Sequence, residues 1–416
     1  MRRAKLNMAH DNHVQLDDNI QIGSEATDFG KKAFGIGGVA LVLALVLGGG
    51  PFGREFLIAY LVAFMYSLAI GLGLLWFVTI QHLTNAKWSV VVRRVAEIIA
   101  ANMSVLAVLS LFLIVPALMG NSTLYAWVDP AKVAADRVLK HKAGYLNIPF
   151  FAIRCVVYFG FWWLLSRHFL KRSVEQDTSG KAEINTKLQT LAAPSMIAFA
   201  LTLTFATIDF VMSLDPGFFS TIFGVYYFGG AVACAYSFLA LSLMWLQGKG
   251  RLLNSVNREH YHDLGKMMFA FGVVFWSYIA FSQFMLIWYG DVPEETHWFH
   301  DRFQGDWKIV SGALLACHFV IPFFGLLSRY VKRNRKTLAF WAFWILVIEY
   351  VDLYWLVMPT FGEDVIPSVL SLLVHLLAWV GVGGLFIGAA ASRTKGLNLI
   401  PTKDPRLAAS LAFENP

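Results

Sequence analysis

Charge is scarce in this sequence: 15% of its 416 residues are Asp, Glu, Lys or Arg, where soluble domains carry about a quarter. That scarcity excludes an ordinary soluble domain. Cysteine is nearly absent. Cys155, Cys234 and Cys317 each fall inside an apolar run and none forms a CxxC pair. Support for iron–sulfur clusters, structural zinc and covalently attached haem is therefore missing. No apolar run holds two histidines at turn spacing; only His318 and His375 lie deep inside such runs, which argues against haem held between facing helices. No Walker motif, nucleophile elbow or zinc-protease motif occurs.

What the sequence has is apolar bulk. Hydrophobic residues make up 57% of the chain, mean hydropathy is +0.58, and there are 35 Phe, 14 Trp and 14 Tyr. A spanning helix needs about 20 mostly apolar residues. Ten runs qualify, numbered helices 1 to 10: 33–50, 56–80, 95–119, 148–170, 191–213, 218–246, 266–289, 309–330, 337–358 and 366–391. The first is short enough for a signal-peptide core. Its long, partly acidic upstream region and the lack of a cleavage site favour a retained helix. The expected fold is thus an all-α polytopic membrane protein, with a 1–32 segment, a 33–391 ten-helix domain and a 392–416 tail.

The net charge of +7 sits in short loops, so it reads as a topology signal and not as a nucleic-acid stripe. Of 34 Lys and Arg, 26 fall on the side of the N-terminus and seven on the other, with Arg154 inside helix 4. Positively charged loops stay inside, which predicts cytoplasmic N and C termini. A faint repeat adds organisation. Tyr66-Ser67 and Trp76 of helix 2 parallel Tyr236-Ser237 and Trp245 of helix 6. Helices 5 and 9 both carry acids near their outer ends, followed by a proline (Asp215-Pro216; Met358-Pro359). Helices 2–5 and 6–9 then form two parallel four-helix bundles flanked by helices 1 and 10, a kind of repeat known in membrane proteins. Chance similarity of Leu-rich helices is the alternative.

An ionisable side chain at mid-bilayer costs roughly 2.5–3.5 kcal/mol on insertion scales and usually faces the protein interior. Helix 5 carries Asp209, with Asp215 at its exit. Helix 9 carries Glu349 and Asp352, three residues apart on one face, with Tyr350 and Tyr354 beside them. Helix 10 carries His375 and helix 4 carries Arg154. All belong to the outer half, where Tyr226 and Tyr227 of helix 6 can join them. Carboxylates accept protons and histidine relays them near neutrality, so the set reads as a proton-exchanging or quinol-facing cluster. The competing reading is structural, with Arg154 and Asp209 tying two helices together. On the inner side, His82, Arg94, Glu97, His262, Asp263 and Lys266 stand at helix ends, where charge is cheap. Ser277, Tyr278, Ser282 and Gln283 of helix 7, with His318 of helix 8, lie between the two layers and can carry water or simply join helices.

The stretches TIDFVMSLDPGFFSTIFGVYYFGG (207–230) and HDLGKMMFAFGVVFWSYIAFSQFMLIWYGDVPEETHWF (262–299) resemble the F subunit of bacterial alternative complex III, a quinol:electron-acceptor oxidoreductase. The likeness extends over most of the chain. It implies a membrane subunit of the NrfD/PsrC type, built from two four-helix bundles in the bacterial cytoplasmic membrane. It also implies partners: a second NrfD-like subunit, an iron–sulfur subunit and multihaem c-type cytochromes. Those partners would hold the haem c and iron–sulfur clusters, this chain binding none. The resemblance further implies quinone (menaquinone) binding within the family, lipid contacts and proton translocation. By motif it carries over Asp209, Asp215, His262 and Asp263. Arg154, Tyr278, His318, Glu349, Asp352 and His375 rest on the residues alone, and no quinone-site motif maps onto the chain. Two other function classes fit the residues: a proton-coupled secondary transporter, which predicts paired broken helices at mid-membrane, and a purely structural anchor.

Overall fold

The structure, a computed structural model, describes residues 16–362, 364–365 and 368–415. Three of the basic N-terminal residues, Arg2, Arg3 and Lys5, and the expected start of helix 10 at 366 lie outside the described residues. Ten helices are long and apolar enough to cross a membrane. They are α1 (Ser24–Leu47), α2 (Arg54–Leu83), α3 (Val90–Leu118), α4 (Ile148–Ser179), α5 (Glu183–Leu214), α6 (Phe223–Gly248), α7 (Arg258–Gly290), α8 (Trp307–Leu327), α9 (Arg335–Phe361) and α10 (Val369–Arg393). The described residues contain no strand. The protein is a multi-pass membrane protein of the expected class, with one helix for each apolar run.

Seven of the helices begin earlier than their apolar runs, α4 begins at the expected residue, and α6 and α10 begin later; at α7 and α9 a side chain caps the added polar turn. At the start of α7, Asn257 Oδ1 accepts from the backbone N–H groups of Glu259 and His260. In return His260 Nδ1 accepts from the Asn257 N–H, closing a capping box. Asn147 caps α4, Asn334 caps α9 and Ser368 caps α10, each by accepting from one backbone N–H.

The core is α2. It is apolar on every side and buried along almost its whole length, as expected of a helix surrounded by others. It packs on α3 and α5 of one bundle, on α6 and α9 of the other, and on α10. Within the second bundle α6 meets α7 and α9, and α8 meets α7 and α9, so helices 2–5 and 6–9 form the two expected groups. Gly73 lets α2 and α6 touch: a methyl group there would overlap Ala231 O and come 2.7 Å from Ala235 Cβ. With Tyr227 donating to Met65 O, this register sets Tyr66 level with Tyr226. Tyr236 therefore lies roughly 15 Å deeper at 1.5 Å per residue, and the Tyr-Ser echo between helices 2 and 6 marks no equivalent positions.

Helices α1 and α10 pack against each other along a seam of small residues. A methyl group at Gly37 would meet Leu385 N at 2.7 Å, and one at Gly384 would meet Gly37 Cα at 2.8 Å. Close backbone approach of this kind holds helices together in lipid, where burial of apolar surface offers no net drive. The GVGG stretch (381–384) is thus continuous helix used for packing. At the end of the molecule where α1 begins, here the basic face, residues 394–415 cross both bundles. Asp404 receives Arg93 and Arg406, Ser410 Oγ donates to Trp88 O, and Asn415 receives Lys266. Burial alone would raise the Asp404 carboxyl, but the bond from Arg406 and the charge of Arg93 hold it well below the usual range.

Overpacking a tight contact costs about 1–3 kcal/mol. Gly384→Leu should therefore lower the melting temperature of the detergent-solubilised protein by several degrees. Gly383→Leu, where nothing lies within 4 Å of an added methyl, should leave it unchanged. Equal melting of the two variants would show that the seam is not what joins α1 to α10.

Candidate functional site

Two helices of the second bundle depart from α geometry at facing positions. Met268–Phe275 of α7 and Leu315–Val320 of α8 are π-helical, and they touch each other. Single π turns are rare and tend to mark functional sites, because the extra residue per turn re-aims the side chains around it. Here they bring the Trp276 indole face to face with the His318 imidazole, with centroids 3.7 Å apart and planes 17° apart.

His318 lies beside the acids of α9. Its Nε2 is 3.7 Å from Glu349 Oε2, one small adjustment or one water from a hydrogen bond. Both ring nitrogens of His318 and Oε2 of Glu349 are buried without a hydrogen-bond partner; Gly272 of α7 faces the ring without hydrogen-bond geometry. Asp352, three residues after Glu349, accepts from the Tyr226 hydroxyl at 2.5 Å and from Trp276 Nε1 at 3.3 Å. Room for Glu349 comes from Gly230 on α6, where a methyl group would overlap the carboxylate. One ligand atom from each of His318, Glu349 and Asp352 lies within 4.8 Å of the others. Imidazole with two carboxylates is a donor set that suits zinc-like ions, although Asp352 already gives both oxygens to Tyr226 and Trp276. It is also a set through which a proton can be handed on: three titratable groups in mutual reach, no bulk water, and no Lys or Arg in ion-pair contact among the described residues.

The first bundle treats the matching acid differently. Asp209 and Asp352 each stand seven residues before a proline, Pro216 and Pro359, and each helix closes with a 3₁₀ turn. Asp209 is gripped by Arg154 through two bonds of 2.7 and 2.8 Å and by the Tyr158 hydroxyl at 2.8 Å. The guanidinium itself lies 3.9 Å from the centre of the Tyr145 ring. Every charge there has a partner, which is the structural arrangement.

The remaining expected residues are scattered. His375 sits against the Tyr354 ring at 5.3 Å and is not part of the His318, Glu349 and Asp352 group. Asp215 pairs with His297 at 2.7 Å at the mouth of the second bundle. Tyr278 is 64% exposed on the outside of α7, apart from the cluster. At the basic face Asp263 pairs with Lys266, and His262 lies 3.9 Å from Glu259. Between Asp263 and Trp276 runs roughly 20 Å of α7 at 1.5 Å per residue, faced by Met268, Phe269, Phe271 and Val273. Glu97 accepts from both Arg93 and Arg94 and lies 3.7 Å from His82, and Arg94 reaches on to Asp177.

If the Arg154–Asp209 pair is a structural tie, breaking it leaves a buried charge at a cost of about 3–5 kcal/mol. Asp209→Asn should melt well below the wild type, and Arg154→Met combined with Asp209→Leu should recover much of the loss. An unaltered melting curve for Asp209→Asn would rule out the tie.

Compared with protein-family models and with curated proteins, the chain finds no match in either.

Proposed function

We propose that this chain is a non-redox membrane subunit of a respiratory quinol:electron-acceptor oxidoreductase of the alternative complex III type. It contributes a proton-conducting path whose central station is His318, Glu349 and Asp352. The observation that carries the proton reading is this buried cluster, with unpartnered donor and acceptor atoms on His318 and Glu349. A buried polar group without a partner costs free energy, and a place where protons come and go is a physical reason to keep one. Membership of the complex rests on the resemblance of 207–230 and 262–299, and the inner-membrane location with cytoplasmic termini rests on the 26-to-seven bias of basic residues. Partner subunits, a second NrfD-like chain, an iron–sulfur protein and multihaem cytochromes c, would then supply haem, clusters and electron transfer. Quinone would bind at the surface shared with them.

The division of labour follows from the two acids. Asp209 is neutralised by Arg154, so the first bundle is scaffold. Asp352 has only neutral donors, Tyr226 and Trp276, so the second bundle is where charge can change. Continuous helix through 381–384 weighs against the transporter reading, whose signature is paired breaks at mid-membrane.

Asp352→Asn or Glu349→Gln should reduce turnover-linked proton release by at least about tenfold, the lower range of effects for general acid–base groups being larger still. The subunits should continue to purify together. Wild-type proton release in Asp352→Asn would remove the cluster from the mechanism. Mild-detergent purification from native membranes should bring down c-type haem absorbance and an iron–sulfur protein. A colourless chain purified alone would sink the respiratory assignment.

A further inference from the structure

Above the cluster, on the side away from the basic face, lies one more buried charge that the sequence did not mark. Arg302 belongs to a short helix, Pro293–Phe303, between α7 and α8. Its residue is 1% exposed. The guanidinium donates to Trp298 O at 2.9 Å, Leu356 O at 2.7 Å and Thr360 Oγ1 at 3.3 Å. It lies 3.5 Å from the centre of the Trp298 ring and 5.3 Å from that of Trp355. No carboxylate is within ion-pair distance of it among the described residues. This differs from Arg154, whose charge a carboxylate cancels. Carbonyl oxygens and ring faces hold Arg302 while leaving its field unspent.

Its position is informative. Leu356 is one turn beyond Asp352 on α9, so Arg302 caps the helix just outside the carboxylate that Tyr226 holds. Farther out, at the surface, is the half-exposed Asp215–His297 pair. The order from the interior is His318 with Glu349, then Asp352 with Tyr226, then Arg302, then Asp215 with His297. Burial pulls the Arg302 guanidinium down to about 9, against the opposing influence of Asp215, Asp301 and Tyr226. It remains charged at neutral pH. A fixed cation in a narrow low-dielectric passage raises the barrier to any other cation.

We infer that Arg302 is the electrostatic stop of the outward half-path, a positioning residue that separates Asp352 from the protons of the outer solution. The inference rests on the proton reading of the cluster. A proton on Asp352 crosses only when the stop is displaced, and a proton outside, held at Asp215 and His297, meets a positive charge before it meets Asp352.

The test is passive proton flux. The full chain, purified from native membranes with its partners, is reconstituted into liposomes holding a pH-sensitive dye. A potassium diffusion potential drives the flux in the absence of turnover. Arg302→Gln should raise the leak by at least about tenfold, since each tenfold needs a barrier change of only about 1.4 kcal/mol; Arg302→Lys should stay near wild type. Adding Asp352→Asn to Arg302→Gln should return the leak to baseline. Arg302→His, whose charge titrates near neutrality, should seal at pH 5.5 and leak at pH 8. The groups facing it are Asp215, Asp301 and Tyr226, with Asp352 on the Tyr226 hydroxyl. Because this profile turns on charge, it decides the matter even where the Gln variant does not assemble. A wild-type leak in Arg302→Gln, a leak untouched by Asp352→Asn, or a leak in Arg302→His that ignores pH would each overturn the inference. These results are separable from failure of the proton reading itself, which would appear as undiminished proton release in Asp352→Asn alone.

Discussion

Taking a charge out of water is the constraint around which this molecule is arranged. Inside a helix bundle surrounded by lipid, a charged group must find an opposite charge, a set of oriented dipoles, or a proton. Each of the three solutions occurs here in a separate place. Arg154 and Asp209 use opposite charge. Arg302 uses carbonyl dipoles and ring faces. Glu349, Asp352 and His318 have neither in full measure, and on the proposed function a mobile proton is the third solution. The basic face follows the first solution on a larger scale, with Arg93, Arg94, Glu97, Asp177, Asp404 and Arg406 forming a chain of alternating sign.

The contrast between the bundles shows how one architecture holds a matching acid in two different ways. Both contribute an acid seven residues before a helix-ending proline. In the first, α4 supplies an arginine from within the membrane. In the second, α8 supplies a histidine, and the arginine has moved outward onto a connecting helix. Among the described residues the π turns belong only to the second half. Close backbone contact at Gly73 keeps α6 against α2, and Gly230 makes room for the Glu349 carboxylate of α9, so the irregular helices α7 and α8 face a closely packed wall.

Much of this was readable from the chain, and the unread parts have physical causes. Helix number follows from apolar length, which lipid imposes. Helix ends do not, because polar turns continue α5 and α7 beyond the hydrocarbon, at α7 under a side-chain cap. Glu349 and Asp352 share a face by spacing alone. The Arg154–Asp209 pair was one of two readings that the residues left open, and coordinates were needed to choose. Tyr278 was misleading for a geometric reason: it stands two residues from the inward Trp276, and about 200° of helix rotation turns it to the outside. Trp276 and Arg302 gave no signal, since an aromatic in an apolar run and an arginine in a loop are ordinary until tertiary packing sets them beside a carboxylate.

The tail across the basic face bears on how the protein is made. Arg93 and Asp404 are separated by 311 positions in sequence, so the acid that neutralises the arginine is made only after all ten helices. Until then Arg93 stands at the membrane surface beside Glu97, and α3, α5 and α7 lack the segment that ties their ends together. Closure of the basic face thus waits until the last helix has been made. A ribosome that stalls just after the last helix would release ten apolar segments with an open, charged underside, a form that quality-control proteases can tell from the closed one.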